Sequence, residues 1–230
     1  MSRKARLDAF KADFEAGKPP YGVLRSGIDM MHRVTAELLA AGAAVRTKTV
    51  GDKAPEFALS NSDGDIVRST ELLTKGPLIV GFYRGAWCPY YDAELRAIEV
   101  AKPEFDKYSA SLVAISPQMP LNSQKSARQN KLTFPILSDT KGEVAAAFGL
   151  CVRLPDHLIE FAELIEIYKW LRNDVPSFNG DLNWTLLVPA RYVIGPDGTI
   201  LYADVNPDHR RRLEAHDLIP ALEQAAAVTT

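Results

Sequence analysis

Residues 78 to 91 read Leu78-Ile-Val-Gly-Phe-Tyr-Arg-Gly-Ala-Trp-Cys-Pro-Tyr-Tyr91. The apolar run 78–83 predicts a strand. Pro89 suits the first turn of a helix, where its missing N–H costs no hydrogen bond. A strand therefore hands the Cys88 thiol to a helix N-terminus. Free backbone N–H groups and the positive end of the helix dipole favour an anion there, and the thiolate is the nucleophilic form of cysteine. Arg84, four residues upstream, either adds positive charge beside that thiol or points into solvent. The bland alternative for Cys88 itself is an inert buried thiol that packs as a small hydrophobe. A cysteine at position 91 would complete a Cys-x-x-Cys redox pair, but Tyr91 stands there. Tyr91 shares a helix face with Cys88, one turn on. Its hydroxyl either reaches the sulfur or its ring packs at the rim of the pocket.

Working outward, residues 47–230 predict one α/β domain and residues 1–46 a helical extension to it. The strand at 78–83 is followed by the Cys88 helix, with Leu95, Ile98 and Phe105 inward and Pro103 expected to kink or interrupt it. A second core strand is expected at 111–115, then a helix near 121–130, a short strand around 134–137 and a short helix at 142–148. Strand, helix, strand in this rhythm argues for parallel pairing with right-handed crossovers. Upstream, a strand at 54–59 and the turn-rich Ser60-Asn-Ser-Asp-Gly-Asp65 predict a hairpin into Ile66 and Val67. Near the end, Gly195-Pro-Asp-Gly198 joins 191–194 to 199–202 as another hairpin, so the sheet is mixed. A helix from about 216 to 227 closes the chain through Leu218, Leu222 and Ala225.

Two segments lie outside that rhythm. In the extension, the breakers Gly17-Lys-Pro-Pro-Tyr-Gly22 separate two helices. Leu7, Phe10 and Phe14 share a face of the first. In the second, Met31, Val34 and Leu38 form a stripe, and Ser26 and Asp29 have capping-box spacing. The stripes predict docking on the domain or on a second subunit. Residues 153–186 form an insertion before the last hairpin. Leu158, Phe161, Ile165 and Tyr168 make one helical stripe, with Leu164, Ile167 and Leu171 beside it, which points first to a subunit interface, hence a homodimer, and second to a lid.

Composition excludes several function classes. The net charge of −2 gives no electrostatic case for nucleic acid or an anionic membrane surface, and Arg210-Arg-Arg212 is one short basic run. No stretch approaches the roughly 20 apolar residues that span a bilayer. The charged first twenty residues have no signal-peptide core, so a cytoplasmic location is expected. Two cysteines do not make a disulfide framework, and in a reducing compartment both are expected as free thiols. The four histidines are dispersed with no metal-ligand spacing, so no metal site and no bound cofactor are expected. Cys151, among Phe148, Leu150 and Val152, is either a resolving thiol for Cys88 or a buried strand cysteine. The first requires α-carbons within about 7 Å.

Trp87-Cys88-Pro89 after a hydrophobic strand, Val50-Gly-Asp-Lys-Ala-Pro-Glu-Phe-Ala-Leu59 upstream and Val188-Pro-Ala-Arg-Tyr-Val-Ile194 downstream together resemble the alkyl hydroperoxide reductase and thiol-specific antioxidant group. These are peroxidases of thioredoxin fold, and the likeness runs from about residue 47 to 226. It implies a three-layer α/β/α fold with a mixed central sheet and a pocket formed by Arg84, Trp87, Cys88, Pro89, Tyr91 and Pro189. It further implies a cis Val188–Pro189 bond facing the thiol. Arg191 would share the face of Pro189. It would then be the cation that stabilises thiolate and peroxide oxygen, or else a surface strand residue. Two departures stand out. Glycines at 81 and 85 leave no Ser or Thr hydroxyl to hold the peroxide, and Tyr91 removes the local resolving thiol. The implied activity is reduction of hydrogen peroxide or alkyl hydroperoxides through a Cys88 sulfenic acid, restored by an external thiol such as thioredoxin or glutathione. A thiol-disulfide oxidoreductase and a catalytically weakened binding or scaffold protein are the alternatives.

Overall fold

The structure is a computed structural model, and it describes residues 3–19, 22, 25–40, 42, 46–85, 89–153, 185–208 and 214–228. Its centre is the strand expected at 78–83, observed as β3 (Leu78–Phe82). The other strands are β1 (Ala58–Ser60), β2 (Ile66–Arg68), β4 (Ser111–Ser116), β5 (Ile136–Ser138), β6 (Cys151–Arg153), β7 (Thr185–Leu187), β8 (Ala190–Ile194) and β9 (Ile200–Val205). Seven of them form one sheet in the order β2-β1-β5-β4-β3-β8-β9, and β6 and β7 form a separate antiparallel ribbon. β3, β4 and β5 pair in parallel, while β8 runs antiparallel to both β3 and β9. The sheet is therefore mixed, as the strand rhythm and the 195–198 turn require.

Alternation along the strands sorts side chains into two cores. Ile79, Leu112, Ala114, Ile136 and Val193 face the layer of α4 (Pro89–Asp106) and α7 (Ile219–Val228), where Leu95, Ile98, Phe105, Leu218 and Leu222 meet them. Leu78, Val80, Phe82, Val113, Leu137, Tyr192 and Ile194 face the other layer. It is built from Phe57, α3 (Ser69–Leu73), Ala145 and Phe148 at α6 (Glu143–Ala147), and Leu187 of the ribbon. A helix layer on each face of one mixed sheet is the expected three-layer arrangement. Among the described residues no helix is long and apolar enough to cross a membrane.

The structure corrects several local expectations. α4 runs unbroken through Pro103 to Asp106. The proline lies in its last turn, where a lost hydrogen bond costs little beside burial of Ala101 and Phe105. The first strand begins only at Ala58; ahead of it Lys53 makes an isolated bridge to Thr199. In the extension, α1 (Arg3–Glu15) packs on α4, with Phe10 and the buried Phe14 ring to ring. Ser26 is not a cap, because α2 (Arg25–Ala40) already includes it and Asp29 instead accepts from Arg25 at 3.0 Å. The buried face of α2 is Ile28, Met30, Val34, Thr35 and Leu38, with Met31 only half-buried. The stripes of the insertion, and the side chain of Leu7, lie outside the described residues.

One close approach ties the start of the domain to α6. Gly149 has φ 75°, and a Cβ there would run into the backbone carbonyl of Arg46; next to it, Lys48 N–H donates to Phe148 O at 3.0 Å. Gly149→Ala combines left-handed strain with a backbone clash. It should cost about 2 kcal/mol or more, read as a lower urea midpoint at unchanged slope.

Candidate functional site

Three parallel strands end side by side at Phe82, Ser116 and Ser138, the edge where open α/β sheets hold ligands. The chain leaves β3 through Tyr83, whose N–H donates to Ile115 O at 3.0 Å, and through Arg84 and Gly85. It enters α4 at Pro89. Cys88 and Trp87 lie outside the described residues, and of Pro89 only its place at the helix start is described. Position 88 thus directly precedes an 18-residue helix whose first-turn N–H groups have no partners within the helix.

Arg84 is buried, with Nε donating to Leu187 O of β7 at 3.0 Å. The solvent-facing reading is overturned: its head is held by the ribbon. Tyr91 is 1% exposed, and its ring stacks obliquely on Tyr83 with centroids 5.8 Å apart. It is a core residue on the buried face of α4 and not a rim residue. Pro189 is buried between β7 and β8, and its carbonyl accepts from Asn206 N–H at 3.2 Å.

Arg191 is the second correction, because its side chain is 2% exposed and the surface reading fails. Its β-partners are Gly81 on one side and Asp204 on the other. Gly81 and the guanidinium line the same small space under α4. Nε lies 3.6 Å from Glu94 Oε1, Nη2 donates to Asp204 Oδ2 at 3.4 Å, and Nη1 donates to Glu214 O at 3.4 Å. Gly81, Tyr83, Tyr91, Glu94 and Arg191 line a cavity of about 10 Å³. That is about the room for one water and far below the size of an organic ligand.

Cys151 lies in β6 and is half-buried, and its approach to Cys88 falls outside the described residues. It pairs with Leu187 in the ribbon, and its Sγ donates to Gly142 O at 3.5 Å. Burial first, and the nearby Asp139 charge second, push the thiol up to about 11. Few thiolates exist there at neutral pH, so the group is a poor nucleophile. Asp139 accepts from the N–H groups of Ala145 at 2.8 Å and Val144 at 3.3 Å, and burial raises its carboxyl above the usual range despite those bonds. Among the described residues no group of His, Cys, Asp and Glu could hold a metal ion. His32 instead bonds Glu15 at 3.0 Å between α1 and α2.

Sequence reasoning missed Glu94, Asp204 and a buried polar cluster at the strand ends. Gln118 Nε2 donates to Tyr83 Oη at 2.7 Å and to Ser123 Oγ at 3.2 Å, and Ser123 Oγ meets Ser138 Oγ at 3.0 Å. The legible signal for Glu94 was its place on the inward stripe of α4, beside Tyr91 and Leu95. Nothing local marked the others.

The model of the AhpC/TSA family matches residues 50–203. Over 100 residues the chain is 34% identical to a provisionally named peroxiredoxin of Mycobacterium tuberculosis, covering 44% of this chain and 65% of that protein. Over 102 residues it is 33% identical to the thiol-disulfide oxidoreductase ResA of Geobacillus thermodenitrificans, covering 44% of this chain and 58% of that one. The chain thus spans less than two thirds of the length of either relative. Among solved structures, peroxidoxin BcpB from Mycobacterium tuberculosis superposes with a TM-score of 0.59 at 23% identity, over 79% of this chain and 99% of that one. A PrxQ mutant from Xylella fastidiosa gives 0.56 at 15% identity, over 79% and 97%. At these identities the two structures speak for the fold.

Proposed function

Because the chain belongs to the AhpC/TSA family, we propose that it is a thiol peroxidase working through Cys88. The thiolate sulfur attacks the terminal oxygen of hydrogen peroxide or an alkyl hydroperoxide. The O–O bond breaks, the leaving oxygen takes a proton as water or alcohol, and sulfur retains one oxygen as sulfenic acid. A first external thiol then condenses with the sulfenic acid and releases water. A second displaces Cys88 from the mixed disulfide, so two reducing thiols, from thioredoxin or two glutathiones, balance one peroxide. The observation that carries this reading is the start of α4 at Pro89. Residue 88 directly precedes that long helix in the sequence, and a helix N-terminus favours a thiolate, which supports the reading.

The neighbours have stated parts in this reading. Arg191 is the cation beneath the first turns of the Cys88 helix, and Arg84, Trp87, Pro89, Tyr91 and Pro189 shape the pocket. The state of Cys151, with its thiol pushed up to about 11, favours external over internal resolution. Tyr91 removes the Cys-x-x-Cys resolver. The homodimer expected from the apolar insertion and the cytoplasmic location belong to the same proposal. One observation favours a second reading: the likeness to ResA points to disulfide exchange through mixed disulfides. The lack of a cysteine at 91 counts against it.

The test is a stoichiometric addition of hydrogen peroxide to the reduced protein, with rapid kinetics and intact mass. The expected result is fast gain of one oxygen at Cys88, ahead of any change at Cys151. Loss of two hydrogens instead would bring Cys151 or a partner subunit in as resolver. Oxidation no faster than that of a free thiol would overturn the peroxidase and leave a thioredoxin-fold binding or scaffold protein.

A further inference from the structure

The buried polar cluster at the ends of β4 and β5 has no part in the proposed chemistry, although it bonds Tyr83, five residues before Cys88 in the sequence. Gln118 lies two residues beyond β4 and is fully buried, as are Ser116 and Ser123. Its amide donates to Tyr83 Oη at 2.7 Å and to Ser123 Oγ at 3.2 Å, and its backbone N–H donates to Ser116 Oγ at 3.4 Å. Ser123 continues the chain to Ser138 at the end of β5. A fully satisfied buried network of this kind rigidifies what it touches, and removing one member leaves others unpaired.

What it touches is Tyr83, the first residue past β3 and five residues before Cys88. The Tyr83 ring packs on Tyr91, three residues after Cys88 and inside the first turn of α4. The two rings therefore bracket the segment 84–90 from both ends, and Arg84 adds a third anchor through Leu187 O. Of these anchors, the 2.7 Å bond from Gln118 is the one that fixes the Tyr83 ring to the rigid ends of the parallel strands.

Resting on the peroxidase reading above, we infer that Gln118 is a positioning residue. It locks Tyr83, and Tyr83 with Tyr91 holds together the two ends of the segment 84–90, to which Cys88 belongs in the sequence. In-line attack on an O–O bond demands a fixed approach, and a misplacement of about 1 Å can cost on the order of a hundredfold in rate. Alkylation by a small, freely diffusing reagent depends on thiolate and access and makes no such demand on neighbouring groups.

The experiment compares second-order rates of Cys88 with hydrogen peroxide and with iodoacetamide in wild type, Tyr83→Phe, Gln118→Leu and the double variant, each checked for folding by thermal melt. The peroxide-to-iodoacetamide ratio should fall tenfold or more in each single variant and no further in the double, because both remove the same bond. Gln118→Glu should restore most of the ratio, since a carboxylate accepts from the Tyr83 and Ser123 hydroxyls in place of donating to them. A ratio within twofold of wild type in Tyr83→Phe and in Gln118→Leu overturns the inference. So do equal losses in both rates, or losses that add in the double variant. If Gln118→Leu does not fold, Tyr83→Phe decides alone. A wild-type protein that reacts with peroxide no faster than a free thiol is a separate result: it removes the peroxidase reading itself.

Discussion

Cys88→Ser abolishes peroxide consumption and leaves the fold intact. A serine hydroxyl at the start of α4 meets the same N–H groups and the same dipole, yet it does not ionise near neutral pH, and helix-end electrostatics are worth only about 1 kcal/mol, roughly one pH unit. The remaining thiol does not compensate. With burial pushing the Cys151 thiol up to about 11, very little of it is thiolate at neutral pH. Peroxide-coupled oxidation of dithiothreitol, followed by loss of peroxide, is the measurement. Turnover that survives in the serine variant removes Cys88 from the mechanism and the peroxidase proposal with it. Unfolding free energies of wild type and variant from urea titration should agree within about 1 kcal/mol, because the change replaces a single side-chain atom.

Arg191→Met destabilises the protein by about 3–5 kcal/mol, the range for removing one member of a buried ion cluster. Glu94 Oε1 lies 3.6 Å from Nε and Asp204 Oδ2 lies 3.4 Å from Nη2, and without the guanidinium these two largely buried carboxylates lose the cation they share. The loss comes from the orphaned charges and not from the missing attraction. Adding Glu94→Leu to Arg191→Met should therefore recover part of the stability that the single change loses. Urea unfolding of the two variants is the check; a further, additive loss in the double variant would show that the three groups do not act as a unit. The same argument bears on activity. An arginine already engaged by two carboxylates and a carbonyl has its orientation set before any peroxide arrives, which suits a preorganised charge. Peroxide rates for any Arg191 variant need to be read beside its stability.

The centre of the fold was legible because its signals are local. The apolar run 78–83, Pro89 after a lone cysteine, and Gly195-Pro-Asp-Gly198 between two apolar runs each name their structure within a few residues. Leu95, Ile98 and Phe105 point inward because a 3.6-residue period leaves them no other face. What was not legible depends on partners far along the chain. Glu94 sits on the inward stripe of α4, but its partner is not named until Arg191 arrives on a strand from the other half of the domain. α5 (Pro120–Asn130) shows the problem in full. It buries Ser123, Ser126 and Asn130, which a hydropathy pattern assigns to its wet side. Ser123 meets Ser138 at a strand end, and Asn130 donates back to Ser126 O of its own helix. Ser26 failed for a different reason: the cap pattern was present, but α2 had begun before it.

The β6–β7 ribbon has a consequence for how this chain tolerates change. Cys151, Val152 and Arg153 pair with Leu187, Leu186 and Thr185, so the long insertion departs and returns through adjacent strands about 4.8 Å apart. Closing a loop costs only about 0.6 kcal/mol for each doubling of its length once its ends are held together. The ribbon is thus a socket. Whatever segment is plugged in between Arg153 and Thr185, long or short, the register of the seven-stranded sheet and the carbonyl that holds Arg84 stay where they are. Length and sequence between those two strands can therefore change while the sheet that they leave keeps its pairing.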